Sequence, residues 1–209
     1  MENSTVAVLL AGGKSGRMGV AKGLLKYNKT FWVLEQINRL SEANINKVYV
    51  GLGHDFEHYF WAVDWFEKAV KEIVNFRGID VQVVINSKPE LGSFSTLQAV
   101  LNSVPTGSDV LICPVDIPIP NKKTLEKIIY SNYEVVIPMF QNQHGHPIVI
   151  NDDFKNRLID LPIEDENSRL DIQIKKLTTN QILVVEVNDS SILKNLNTPS
   201  EWKQFLSTK

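Results

Sequence analysis

Short runs of consecutive apolar residues alternate along this chain with longer stretches in which apolar positions recur every third or fourth residue. The short runs cover 5–10, 47–52, 81–85, 109–113, 134–138, 147–150 and 182–187. Most carry almost no polar residue, the pattern of strands covered on both faces rather than one. Between them the period lengthens. Phe31, Leu34, Ile37 and Leu40 repeat at three, and Phe56, Phe60, Val63, Phe66, Val70 and Ile73 keep spacings of three and four, predicting one helix of about five turns. Further helices are predicted over 93–104, 121–131 and 198–206, the last with Pro199 in its first turn, where a missing N–H is harmless. Residues 160–180 follow neither period and carry Asp160, Glu164, Asp165, Glu166 and Asp171, so they read as a solvated insertion.

Strand alternating with helix predicts an α/β fold: a single Rossmann-like, three-layer α/β/α domain over 1–209, with a mainly parallel sheet. No internal repeat, low-complexity tract or linker divides it. Ligands of such sheets bind beyond the carboxyl ends of the strands. Two groups of residues stand at such ends.

The first follows the opening strand, in LLAGGKSGRMGVAK (9–22). Glycines at 12, 13, 16 and 19 allow a backbone to approach a phosphate chain, and Lys14, Arg17 and Lys22 meet its charge. Neither familiar phosphate loop fits. A Walker A loop needs a glycine five positions before Gly13, where Val8 stands, and the dinucleotide fingerprint fails because Lys14 and Ser15 follow Gly12 and Gly13 at spacing two. The second is Asp116, in CPVDIPIP after the fourth strand. Prolines at 114, 118 and 120 stiffen the chain around it. A lone hard oxygen at that place suits Mg²⁺, which keeps its waters and takes phosphate oxygens as further ligands; a turn or cap aspartate is the plain alternative.

Composition removes other classes. The chain has 209 residues, 43% hydrophobic and 22% charged, with a net charge of −2, which gives no sign of a nucleic-acid or membrane surface. Cys113 is the single cysteine, so neither a disulfide framework nor a cysteine-rich zinc site is expected. Glu2 stands where a signal peptide would be basic, and no apolar run approaches the ~18 residues of a spanning helix, which suits a cytoplasmic protein. His54 and His58 lack the adjacent glutamate and third ligand of a metalloprotease, and no serine lies in a nucleophile elbow. Cys113 reads as packing in the sheet, Trp61 and Trp65 as covering core or an interface, and Lys122 with Lys123 as a solvated helix start. His144 and His146 flank Gly145 before a strand. In NLNTPSEW, Asn197 or Thr198 either caps the last helix or completes a substrate site with Asn195.

Taken in order, LLAGGKSGRMGVAKGLL, ICPVDIPIP, GHPIVI and NLNTPSEW resemble the motifs of the molybdenum cofactor nucleotidyltransferases, of the nucleotide-diphospho-sugar transferase superfamily. The resemblance implies nucleotide binding through Leu10, Ala11, Gly12, Gly13, Lys22, Asn86 and Asp116. It implies catalysis by Arg17, Lys22 and Asp116, with Mg²⁺ on Asp116, and acceptor binding by His146, Asn195 and Asn197. Gly51 and Asn86 stand where guanylyltransferases carry an asparagine and an aspartate, and NSKPELGSFSTLQ and GHP are similar to the cytidylyl branch. Gly12 and the Asn-Thr-Pro motif are similar to the guanylyl branch, so the reading leans to GTP over CTP.

The implied reaction moves NMP from an NTP to a phosphate monoester, molybdopterin or molybdenum cofactor, and releases pyrophosphate. Such a monoester is already largely a dianion at pH 7 and needs no strong base, so alignment and charge neutralisation carry the catalysis. The implied partners are the NTP, the small phosphate acceptor, and molybdoenzymes or cofactor-handling proteins, with no nucleic acid and no membrane. Two alternatives stay open: a sugar 1-phosphate or other small acceptor, and a nucleotide-binding regulatory domain without turnover.

Overall fold

The computed structural model describes residues 4–129 and 133–208; Glu2 and the last two residues of the helix predicted over 121–131 lie outside the described residues. In chain order its elements are β1 Ser4–Leu10, β2 Lys26–Tyr27, β3 Thr30–Phe31, α1 Trp32–Glu42, β4 Lys47–Leu52, α2 Phe56–Ala62, α3 Phe66–Lys71, β5 Val74–Phe76, β6 Ile79–Ile85 and α4 Ser93–Leu101. There follow β7 Ser108–Pro114, α5 Lys122–Ile129, β8 Val135–Phe140, β9 Gln143–His144, β10 Ile148–Ile150, α6 Asp152–Ile159, α7 Leu170–Lys175, β11 Ile182–Glu186 and α8 Pro199–Ser207.

All seven apolar runs are strands. Together with β5 and β9 they form one sheet, in the order β11–β8–β10–β7–β1–β4–β6–β5, with β9 on β8. β7, β1, β4 and β6 run parallel, as do β8 and β11, whereas β10 inserts antiparallel between β7 and β8. The strand sequence reverses direction on either side of β1, which makes the gap beyond β1 and β7 a topological switch point. There the strand ends are level: Leu10 pairs with both Gly51 and Pro114.

Residues of β1 alternate between two cores. Ala7 and Leu9 face a cluster with Trp32 and Ile37 of α1, Tyr59 of α2, Phe66 of α3, Leu125 of α5 and Trp202 of α8. Val6 and Val8 face a second cluster with Phe94 and Leu97 of α4 and Phe154 and Leu158 of α6. The near-continuous apolar strands are thus explained by burial on both faces.

Three expectations need correction. The single helix over 56–73 is two, α2 and α3, because Val63 is extended and closes α2 through its N–H to the Tyr59 carbonyl. Val63 and Phe66 stay buried across the break, so the apolar spacing survives a change of axis that it cannot report. Of the two tryptophans expected to cover core or an interface, Trp65 packs on the first cluster, whereas Trp61 covers no core, being 79% exposed with its ring 5.2 Å from that of His58. Residues 160–180 are ordered, with a 3-10 turn at Glu166–Ser168 followed by α7. Their five acids are exposed, but Leu170, Ile174 and Leu177 pack on the second cluster. The β2–β3 hairpin, β5 and β9 have two or three residues each, too few to display a period.

Candidate active site

A cavity of about 520 Å³ opens at the switch point. Its floor is the end of β1 and the loop after it, through Leu10, Ala11, Gly12, Gly13 and Ser15. This backbone is held flat against the next strand: Ala11 N–H donates to the Gly51 carbonyl at 2.8 Å, and the Gly12 carbonyl accepts from His54 N–H at 3.1 Å. Glycine is required at 12, since a Cβ there would stand 2.8 Å from Thr96 Oγ1 and 3.1 Å from Gly53 N. Ser15, at φ +50, turns the loop, and its Oγ accepts from Lys22 N–H at 3.1 Å.

Lys22 and Asp116 meet in this cavity. Lys22 Nζ donates to Asp116 Oδ2 at 2.7 Å and to Asn197 Oδ1 at 2.6 Å. Three remote stretches of chain thereby converge on one ammonium group. Main-chain bonds fix Asp116 from both sides: Val115 N–H donates to the Leu10 carbonyl at 3.0 Å, and the Asp116 carbonyl accepts from Leu196 N–H at 2.8 Å. From α1, Trp32 Nε1–H donates to the Val115 carbonyl at 2.7 Å. The buried Gln36 amide donates to the Ile117 carbonyl at 2.8 Å and accepts from Ile119 N–H at 3.0 Å. The proline-rich segment is rigid for this reason as well as for its prolines.

A second cavity of about 410 Å³ adjoins the first, and Pro114, Asp116 and His146 line both. Asn195, Gln143 and His144 line it further. Gly145 packs so closely that a Cβ would lie 2.5 Å from the Ile192 carbonyl. Burial pushes His146 below the ordinary histidine range, against the opposing charge of Asp116, so its ring is neutral at pH 7. Its Nδ1 is buried without a hydrogen-bond partner.

Three residues named from the motifs, Arg17, Asn86 and Asn197, line neither cavity. Arg17 is exposed near α8, where its charge helps hold the Glu201 carboxyl below its usual range, after hydrogen bonds from Thr198 and Asn197. Asn86 is buried at 5% exposure, with both ends of its amide engaged. Nδ2 donates to Ser95 Oγ at 2.8 Å and Thr96 Oγ1 at 3.0 Å, and Oδ1 accepts from Lys88 N–H at 2.9 Å. Asn197 and Thr198 divide the work in NLNTP. Thr198 caps α8 in a reciprocal box with Glu201, while the Asn197 side chain reaches Lys22.

Sequence reasoning missed Ser93, Phe94, Thr96 and Leu97 from α4, and Arg169, Leu170 and Asp171 ahead of and within α7. The serine-rich start of α4 was a usable signal; the acid-rich region around α7 offered none. Among the described residues no group of three His, Cys, Asp or Glu side chains stands ready to hold a metal. Asp116, the carboxylate shared by both cavities, is a hard oxygen donor of the kind that fits an ion completed by phosphate oxygens and water.

The model of the MobA-like NTP transferase domain matches residues 7–177. The chain belongs to this family. It is a nucleotidyltransferase, and NLNTP lies beyond the matched segment. Among solved structures, Rv0371c from Mycobacterium tuberculosis H37Rv is similar at 20% identity and a TM-score of 0.75, covering 99% of both chains. A nucleotidyl transferase from Methanothermobacter (Mth528) is similar at 19% identity and 0.75, covering 99% of this chain and 97% of that one. A complex of Rv0371c with manganese gives 18% and 0.71, covering 99% of this chain and 100% of that one. At these identities the likeness establishes the fold. No curated protein matches in sequence. No described helix is long and apolar enough to cross a membrane.

Proposed function

We propose that this NTP transferase moves a nucleoside monophosphate from GTP to a phosphate monoester, with molybdopterin or molybdenum cofactor as the acceptor and Mg²⁺ as the ion. The observation that carries the reading is the 2.7 Å contact of Lys22 with Asp116 inside the cavity floored by Gly12 and Gly13. A glycine-rich backbone, a cation and a carboxylate are together where a triphosphate would lie.

The larger cavity takes the nucleotide and the adjoining one the acceptor, so that the two substrates meet across Asp116 and His146. An acceptor phosphate oxygen forms a bond to the α-phosphorus as the bond from that phosphorus to the β-bridging oxygen breaks, and pyrophosphate leaves. The attacking dianion carries no proton that must be removed. A divalent ion held by Asp116 would neutralise charge on the phosphate oxygens. Lys22 moves from Asp116 to the triphosphate and stabilises the departing pyrophosphate, while Asn197 keeps its ammonium group oriented. Arg17 joins when the glycine loop folds over bound nucleotide. His146 and Asn195 position the acceptor without adding charge. Asn86 shapes the nucleotide side through Ser95 and Thr96 rather than by touching the base. The lean to GTP rests on Gly12, whose packing against Thr96 leaves no room for the alanine of the cytidylyl pattern. A reducing cytoplasm, with its NTP supply, is the compartment that suits this reading.

Thermal shift with GTP, CTP, ATP and UTP, each with Mg²⁺ and with Mn²⁺, tests the donor. The preferred NTP stabilises by about 2.7 kcal/mol at a hundredfold excess over its dissociation constant. Pyrophosphate release over a panel of acceptors tests the second substrate. No shift with any NTP, or turnover confined to sugar 1-phosphates, would refute the donor or the acceptor assignment respectively.

A further inference from the structure

The ionisable side chains lining the larger cavity are Lys22, Asp116, His146, Arg169 and Asp171. The lysine and the arginine are each matched by a carboxylate: Lys22 with Asp116 at 2.7 Å, and Arg169 Nε with Asp171 Oδ1 at 3.1 Å. An NTP with its metal, joined by a monoester dianion, brings several negative charges into this space. Lys22, even with Arg17 joining it, does not balance them.

Arg169 has an anchored backbone and a loose side chain. Just ahead of it, Gln98 of α4 donates to the carbonyls of Leu158, Ile159 and Leu161 at 3.1, 3.0 and 2.7 Å. The buried Ser168 donates to the Pro162 carbonyl at 2.6 Å, and Leu170 packs on the second core. By contrast the Arg169 and Asp171 side chains are 65% and 52% exposed, and their second contact is long, at 3.4 Å. Exposed ion pairs of this kind are weak and easily exchanged. A guanidinium fork prefers the paired oxygens of a phosphate when one is offered.

We propose that Arg169 is a phosphate-binding residue of the nucleotide cavity, released by Asp171 to the triphosphate when NTP enters. The inference rests on the reading of that cavity as the NTP site and adds a ligand from outside the shared motifs. Asp171 then acts as a competitor that holds the fork in place while the cavity is free.

Calorimetric binding of GTP, CTP and inorganic pyrophosphate, with Mg²⁺, tests this on the full chain. Arg169→Met should weaken every bound probe by about tenfold and by the same factor, with an unchanged melting temperature and partial recovery in Arg169→Lys. Asp171→Asn should tighten binding by about two- to fivefold, since it removes the competitor without removing the fork. Equal affinity in Arg169→Met and wild type overturns the proposal. So does weakening by Asp171→Asn comparable to that of Arg169→Met, which would make the pair a brace for α7. A loss confined to one nucleotide also overturns it, because the residue would then read the base. Should the wild-type protein bind none of the probes, the nucleotide reading itself fails and takes this inference with it.

Discussion

Asp116 is placed by its main chain, which leaves its carboxylate to the cavity. Its N-terminal neighbour and its own carbonyl are bonded to Leu10 and Leu196, so changing the carboxylate leaves the surrounding path intact. We expect Asp116→Asn to reduce pyrophosphate release by at least about a hundredfold with an unchanged circular dichroism spectrum and melting temperature. Near-normal turnover would remove it from the mechanism. His146 makes a different prediction. Burial lowers its pKa in the folded protein, so between about 6.5 and that lower value the unfolded chain binds a proton that the native state refuses. Stability therefore falls as pH drops through this window and is insensitive to His146 above it. NMR titration should show its ring protonating below the ordinary value, and His146→Gln should flatten urea midpoints between pH 5 and 7 relative to wild type. At this scale the sequence was most legible where a residue type has few uses. Gly12, Gly13, Lys22 and Asp116 stood out because that combination has few uses besides phosphate chemistry, and the fold brings all four to one cavity. Asn86 was not, because an amide bonded inside and an amide offered to a ligand look alike in a string of letters.

Helix α1 shows how an element far from the chemistry sets its geometry. Its amphipathic period was plain, yet its decisive residue is a buried polar one. Gln36 satisfies one acceptor and one donor on the segment carrying Asp116. Gln36→Leu would strand both, at a cost of about 1–3 kcal/mol for each buried group. We expect a lower urea midpoint and a fall in kcat, whereas Gln36→Glu should retain only the Ile119 bond and stand between. Periodicity failed at α2 and α3 because Val63 and Phe66 point inward on both sides of the break. It failed again over 160–180, where acids on the wet face outnumber the apolar residues that fix α7. Pattern reports which side chains are buried and says little about the axis that buries them.

Across the whole molecule, the seven apolar runs were enough to declare a two-faced sheet, and the strand that breaks its parallel run, β10, was visible as a strand but not in its direction. Direction follows from the connections, and the short β8–β9–β10 path turns the chain back on itself without a crossover helix. The ends of the fold are joined by aromatic packing. Trp202 of α8 lies 5.3 Å from Trp32 and 6.3 Å from Tyr27, ring centre to ring centre. Trp202→Ala should cost about 3 kcal/mol, seen as a lower melting temperature, and should also weaken NTP binding by loosening the turn that presents Asn197. The meeting of Lys22, Asp116 and Asn197 has a temporal corollary. A protein emerging from the ribosome completes its sheet before it completes this triad. Chains ending short of Asn197 are therefore expected to retain labelled nucleotide more weakly than the whole protein, since Lys22 then keeps only one of its two partners.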